Sequence, residues 1–446
     1  MLQTETLHKI EFVWEQFTMD NGKRDSRSKN SRNRNTSTGS IGSVKPVSVS
    51  GESRKARRKG AEKKGNNTVG VNLNLSSTSS AKAKVHSRNK SRNKIRKMIE
   101  KKRFFTREDR WYLIATVYLL VGAAVLQVIA RQIVGFGQWY ATHLYPVIVN
   151  VWGRFCGFFP FSVIEIGGYL TVLGLIGYGI YHRKEAGRII SRMVFILGAL
   201  AFIYTTNCGI NYYRRPFSSY LDLEVRESSV EELASLCQYL TDKVNETVDK
   251  TSMEKGWPRE ARECMTELGE EYPELGGYYP VPKPLAVSRI LSVQQLCGVY
   301  APFTVEANFN LEMTTYNIPH TMCHELSHLK GFMREDEANF IGYLACLKSD
   351  RRSFQYSGYL TGWVYATNAL AKQDMDKYVE LYRQLNEDTV RNLKENTEFW
   401  NQYDGKVAEV SNQMNDTYLK FNDQQDGVQS YGRMVDLMLA YYRESQ

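Results

Sequence analysis

The sequence predicts a mainly α-helical membrane protein, with three transmembrane helices followed by an α-rich extracytoplasmic domain that contains a small β-sheet. Three observations carry that prediction: long uncharged apolar runs confined to residues 111–213, a strong charge asymmetry along the chain, and apolar residues at helical spacing through much of 214–446.

The uncharged runs come first. Residues 111–130 hold no charged side chain, and neither do residues 193–213. A helix needs about 20 apolar residues to cross a bilayer core. Between these runs, 166–181 is apolar, and Phe158, Phe159 and Phe161 extend it beyond Glu165. Spans are therefore expected near 111–133, 160–181 and 193–213, within a membrane domain of 106–213. The intervening stretch 139–161, with Tyr140, Tyr145, Pro146 and Trp152, reads as interfacial or re-entrant.

Charge sets the expected orientation. Residues 1–110 carry 28 Lys and Arg against 10 Asp and Glu, while the rest carries 30 against 38. The basic balance of the whole chain, +10, thus belongs to its first part. With a second basic group at His182, Arg183, Lys184, Arg188 and Arg192, the positive-inside rule places the tail and this loop in the cytoplasm. The expected localisation is the cell membrane, multi-pass, with residues 214–446 outside the cytoplasm; Arg214 and Arg215 run against the rule. Residues 1–105 are rich in Ser, Asn, Gly, Lys and Arg and poor in long apolar side chains, so a disordered cytoplasmic tail is expected. Its basic residues between 88 and 110 can meet anionic head groups, making membrane lipid a partner. It lacks the interleaved aromatics that stack on bases, so no nucleic-acid partner is expected.

The chemistry concentrates at one place. Of seven histidines, only His320, His324 and His328 lie beyond residue 214. The run His324-Glu325-Leu326-Ser327-His328 places two imidazoles four residues apart on one helix face, with a carboxylate after the first. Such a pattern binds zinc (Zn2+) through both histidines and uses the glutamate as general base. A catalytic zinc takes a third protein ligand and keeps one position open. Gly331 can end the helix in a left-handed cap. The chain from Phe332 to Ala345 then reads as a second helix, with Glu335 as third ligand, Asn339 one turn on as a partner orienting a ligand imidazole, and Ala338 allowing close contact. Glu337 is the alternative ligand, Asp336 competes as well, and His320 is expected at the rim.

These residues resemble a bacterial family of multi-span membrane proteins classed as domain of unknown function 3810. The likeness rests on His324-Glu325-x-x-His328-x-x-Gly331-Phe332 with Glu335-Asp336-Glu337-Ala338-Asn339-Phe340, on the stretch from Gly298 to Asn308, and on Asn415 to Lys420 with Asp426 to Arg433. It spans about Trp111 to Tyr442. The resemblance implies a membrane-anchored, zincin-like metallopeptidase of the glutamate type. Asn339 stands where more distant zinc peptidases carry Asp.

Glu325 is accordingly the expected catalytic base, acting on a peptide or protein substrate. Tyr431 and Arg433, which lie in the C-terminal part of the resemblance, are candidate oxyanion donors, as is Tyr316 near the motif. Residues 299–310 partly alternate and read as one strand, able to bind an extended substrate by strand addition or simply to belong to a small sheet. Helices are expected over 229–248, 259–275, 376–398 and 428–442. Seven cysteines, five beyond residue 214, show no metal-ligand spacing and no legible disulfide framework, and Cys323 reads as packed rather than ligating. The competing expectation is a catalytically inactive zincin-like surface binding or scaffold protein, against which the intact Glu325 argues. A function residing in the tail is the weaker alternative.

Overall fold

A helix start is written into Thr106-x-x-Asp109. In the computed structural model, the Thr106 hydroxyl caps the Asp109 N–H while the Asp109 carboxylate accepts from the Thr106 N–H. The structure describes residues 86, 90 and 104–444, except 222, 224, 227, 249–252 and 423–432. Nearly all of the basic tail, and Tyr431, therefore lie outside the described residues.

Among the described residues, three helices are long and apolar enough to cross a membrane: α1 (Arg107–Gln132), α2 (Val163–Tyr181), and α3 (Ala186–Asn207), the last continued by a 3-10 turn (Gly209–Tyr213). Both α1 and α3 begin earlier than their uncharged runs. Charged residues near their starts satisfy one another: Arg192 of α3 pairs with Asp109 at 3.1 Å and Glu108 at 2.7 Å, and its guanidinium lies 3.6 Å from the Tyr112 ring centroid. Arg188 and Arg192, expected in a loop, are thus helical. From this end, Gly198 packs on Thr116, Phe202 on Gly122 and Gly209 on Gln127, so α1 and α3 run parallel.

Between α1 and α2 lies a bent helical segment, with Phe136–Trp139, Tyr145–Ile148 and Arg154–Gly157 in α-helix and Tyr140–Leu144 and Val149–Gly153 in π winding. Its Tyr140 hydroxyl donates to the Thr206 carbonyl at 2.9 Å, fixing it beside the end of α3.

The remainder is helical around a small sheet. In order come α4 (Val230–Thr247), α5 (Trp257–Glu271), β1 (Lys283–Pro284), β2 (Gly298–Ala301), β3 (Glu306–Phe309), α6 (Asn317–Leu329), α7 (Glu335–Lys348), α8 (Arg352–Ala371), α9 (Met375–Arg383), α10 (Glu387–Asn401), α11 (Lys406–Phe421) and α12 (Arg433–Glu444). The expected helix over 229–248 forms, opened by a capping box of Ser229 and Glu232. The expected helix over 259–275 ends at Glu271, ahead of Pro273, because proline cannot continue the hydrogen-bond ladder. The expected helix over 376–398 is two helices, since the Asn386 side chain accepts from Thr389 N–H and starts α10 afresh. The single strand expected over 299–310 is a hairpin: Val305 takes φ 54°, reversing the chain between β2 and β3. The strand order is β1-β3-β2, with β1 parallel and β2 antiparallel to β3, so β2 is an edge.

The sheet is fastened to the apolar helices by buried charge. Glu306 of β3 is 1% exposed; it pairs with Lys283 of β1 at 2.6 Å and accepts from the free N–H groups of Val163 and Ile164 at the start of α2. In the same first turn, Glu165 accepts from the Ala286 and Val287 N–H groups at 2.7 and 2.8 Å. A carboxylate at a helix N-terminus meets both unpaired donors and the positive end of the helix dipole. Removing one partner of a buried ion pair strands the other, at about 3–5 kcal/mol. Glu306→Ala should therefore lower the thermal midpoint of the detergent-solubilised chain far more than Glu108→Ala, whose carboxylate is exposed; equal losses would contradict this account of the junction.

Candidate metal centre

The site is built on α6 and the turn that ends it. Of the thirteen residues of α6, only His324 keeps appreciable exposure, and it opens onto a cavity. The helix starts two residues before Pro319, earlier than its sequence suggests, and the His320 N–H is satisfied by the Ser357 hydroxyl of α8 at 3.0 Å.

Gly331, at φ 88°, reverses the chain. Its N–H reaches the His328 carbonyl at 2.8 Å and the Phe332 N–H reaches the Ser327 carbonyl at 3.2 Å, the paired bonds of a glycine-closed helix end. Two carbonyls of that end receive donors from outside the domain's own helices. Arg214 donates to Lys330 O at 2.7 Å and stacks 3.6 Å above the Phe332 ring, and the Tyr145 hydroxyl donates to Leu329 O at 3.1 Å. Arg214, the exception to the positive-inside pattern, is therefore a buried cap.

The same turn aims a ligand. His328 Nδ1 lies 2.8 Å from the Phe332 carbonyl, which leaves Nε2 bare toward Glu335. Glu335, first residue of α7, brings its two carboxylate oxygens to 3.3 Å from His324 Nε2 and 3.6 Å from His328 Nε2. The three candidate ligand atoms all lie within 4.8 Å of one another. Bonds of about 2.0–2.1 Å in tetrahedral array require ligand atoms about 3.3 Å apart. The donor set of two imidazoles and one carboxylate fits a zinc ion. Close crossing of α7 on α6 depends on Gly342, where a Cβ would stand 3.2 Å from both His320 Nε2 and the His324 backbone nitrogen.

Electrostatics agree with the geometry. Burial opposes charge on Glu335, yet His328 and His324 beside it hold the carboxyl down at about 2. Burial also opposes charge on His324, but the Glu335 hydrogen bond and charge raise it above the usual imidazole value. For His328 burial prevails over Glu335 and lowers it to about 4. The Asn339 side chain also favours the charged form of His324, while its Nδ2 donates to the Tyr365 hydroxyl at 3.3 Å.

Other expected residues fall elsewhere. Glu337, the alternative ligand, points away from the imidazoles toward Arg334, 3.8 Å distant, and burial pushes its carboxyl up to about 8. His320 lines the cavity but is itself buried, 3.0 Å from the Asn339 carbonyl, and burial lowers it to about 3. Arg433 is exposed at the start of α12 and does not line the cavity; neither does Tyr316, buried 6.3 Å from the Tyr356 ring. Cys323 is fully buried.

Glu325 stands beside the ligand cluster. Burial lifts its carboxyl to about 8, although neighbouring His324 charge and the Tyr300 N–H pull the other way. Its Oε2 is buried with no hydrogen-bond partner, a costly state for a carboxylate oxygen unless something else fills the space before it. Gly298 of β2 makes room: a Cβ there would stand 2.6 Å from Glu325 Oε1. These groups line a cavity of about 310 Å³, whose further walls include Thr361 and Tyr365 of α8, Asn415 and Tyr418 of α11, and Cys208 and Tyr212 at the end of α3.

Residues 140–439 match the model of a family described as a protein of unknown function, DUF3810. The chain belongs to this family. The match begins in the bent segment and ends in α12, so α1 lies outside it and the whole cavity lies within it. Neither curated proteins nor solved structures gave a match. Among cavity residues, Asn415 and Tyr418 belong to a stretch already resembling the family, whereas Thr361 and Tyr365 carry no signal in a helix of mixed composition.

If Glu335 rather than Glu337 completes the cluster, the purified chain should hold about one zinc, and His324→Ala and Glu335→Gln should each abolish that stoichiometry while Glu337→Gln preserves it. Metal analysis of the three variants checks this, and loss of zinc in Glu337→Gln alone would reverse the assignment.

Proposed function

We propose that this DUF3810 chain is a membrane-anchored, zinc-dependent peptidase of zincin type, hydrolysing peptide bonds outside the cytoplasm. The observation that carries the proposal is the partnerless, buried Oε2 of Glu325 beside three converging ligand atoms. A metal kept only for structure needs no such carboxylate, which speaks against an inactive scaffold. Zinc bound at His324, His328 and Glu335 would supply a Lewis acid and acidify a water.

The chain's own residues supply the rest. Glu325 accepts the water proton at Oε2 and later delivers it to the leaving amine. Edge strand β2 borders the cavity through Gly298, Val299 and Tyr300, and offers main-chain groups to an extended substrate. Tyr365 takes the place of Arg433 as candidate donor to the developing oxyanion, Tyr431 lying outside the described residues: it lines the cavity, and its oxygen accepts from Asn339, leaving its own hydrogen to donate.

Membrane crossing by α1, α2 and α3, with the tail in the cytoplasm and residues from 214 outside, is supported by the lengths of the three helices and by the basic residues Arg183 and Lys184 between α2 and α3. The parallel course of α1 and α3 places their far ends together at the domain.

Glu325→Gln should retain zinc and lose at least about 100-fold in hydrolysis of a mixed peptide library. Undiminished cleavage by that variant would refute the assignment of the base, and absence of cleavage by the zinc-loaded parent would refute the peptidase.

A further inference from the structure

The cavity is walled on one side by the end of a membrane helix, and the strand that borders it is oriented by the same helix. Asn207, the last residue of α3, donates from Nδ2 to the Pro302 carbonyl at 2.7 Å, just past the C-terminal end of β2. The Trp152 indole of the bent segment donates to Phe303 O at 2.9 Å, and Gly153 packs against Val305. The turn of the β2–β3 hairpin thus rests on the apolar helices, while Gly298 at the opposite end of β2 lies against Glu325. Tyr300 between them bonds the Tyr145 hydroxyl at 2.7 Å and the Asn207 carbonyl at 3.3 Å. Cys208 and Tyr212, within the same uncharged run as α3, line the cavity directly, and Cys208 donates to Met333 beside the ligand helix.

The bent segment shows where the bilayer surface lies relative to this. Val147, Val151, Phe155 and Phe158 recur at helical spacing and are all exposed, as are many apolar side chains of α1 and α2. A helix of this kind lies in the interface with its apolar face in the acyl boundary. The head-group layer beyond that boundary is about 5–8 Å deep.

We propose that the substrate is the juxtamembrane segment of a membrane-anchored polypeptide. It lies along β2 in extended form with one end directed at the bilayer, and is cut within a few residues of its anchor. The proposal rests on the peptidase reading above and adds the substrate class. A chain paired with β2 follows a strand whose hairpin turn sits on the ends of the membrane helices, so one of its ends leaves the cavity toward lipid. Five extended residues reach at most about 17 Å, enough to cross the head-group layer and enter a cavity walled by Cys208 and Tyr212.

The test uses the full-length zinc-loaded chain in phosphatidylcholine and phosphatidylglycerol vesicles. The substrate is one peptide cleaved from the library, tethered to a single hydrophobic helix by Gly/Ser linkers of about 5, 15 and 30 residues, at either end, beside the untethered peptide. Effective concentration falls roughly as the −3/2 power of linker length, so in at least one polarity the shortest linker should be cut about fifteen-fold faster than the longest. Equal rates at all lengths, or cleavage of long linkers alone, would overturn the juxtamembrane assignment. Either result would leave the peptidase standing, provided the untethered peptide is cut by the parent and not by Glu325→Gln. No cleavage of any substrate would overturn both.

Discussion

The structure of the site depends on how one helix ends. At Gly331 the chain enters the left-handed region, and within four residues three things follow: α6 stops, α7 starts in a new direction, and the Phe332 carbonyl locks the His328 ring. A β-carbon at this position would suffer from the backbone angle itself and would also meet Asn211 and Arg214, 3.2–3.3 Å away. Arg214 and Tyr145 hold the turn from outside by bonding the last carbonyls of α6. The three candidate ligands therefore owe their convergence to residues outside their own cluster.

That dependence joins the two parts of the chain. The apolar helices and the segments beside them supply the donors Arg214 and Tyr145 that close α6, the Asn207 amide that seats the β2–β3 turn, and the N-terminal amides of α2 that bond Glu306. In return the domain covers the ends of helices that would otherwise leave polar groups bare. Every one of these contacts involves buried or charge-assisted hydrogen bonds, which are short-ranged and directional. Such a junction transmits position. A tilt of α3 moves Asn207, Tyr300 and the strand beside Glu325 together, so site geometry and the apolar helices form one mechanical object.

Much of this was legible in the sequence, for reasons that can be named. Ligand spacing in α6 is a local property of helix geometry, so His324 and His328 follow from their four-residue separation, and Gly331 signals its own cap. Glu335 could be weighed against Glu337 but not separated from it, because the choice depends on how α7 is rotated about its axis, which Gly342 and the buried neighbours of α7 decide. The hairpin was hidden because Val305 is a residue that seldom adopts positive φ; only the tertiary setting against Gly153 keeps it there. Glu306 and Arg214 read as ordinary charges in sequence, and the α2 amide and the Lys330 carbonyl that they bond lie 143 and 116 residues away. Tyr365 reaches the site from a helix whose small and aromatic residues show no one-sided pattern, since α8 is buried on most of its surface.

The most direct test of the account is to locate the metal in the full-length chain by anomalous diffraction at the zinc edge. The account predicts one ion about 2.0–2.2 Å from His324 Nε2, His328 Nε2 and a Glu335 oxygen, with the fourth position facing Glu325. An ion bound elsewhere, or one whose fourth position is closed by a protein side chain, would contradict it.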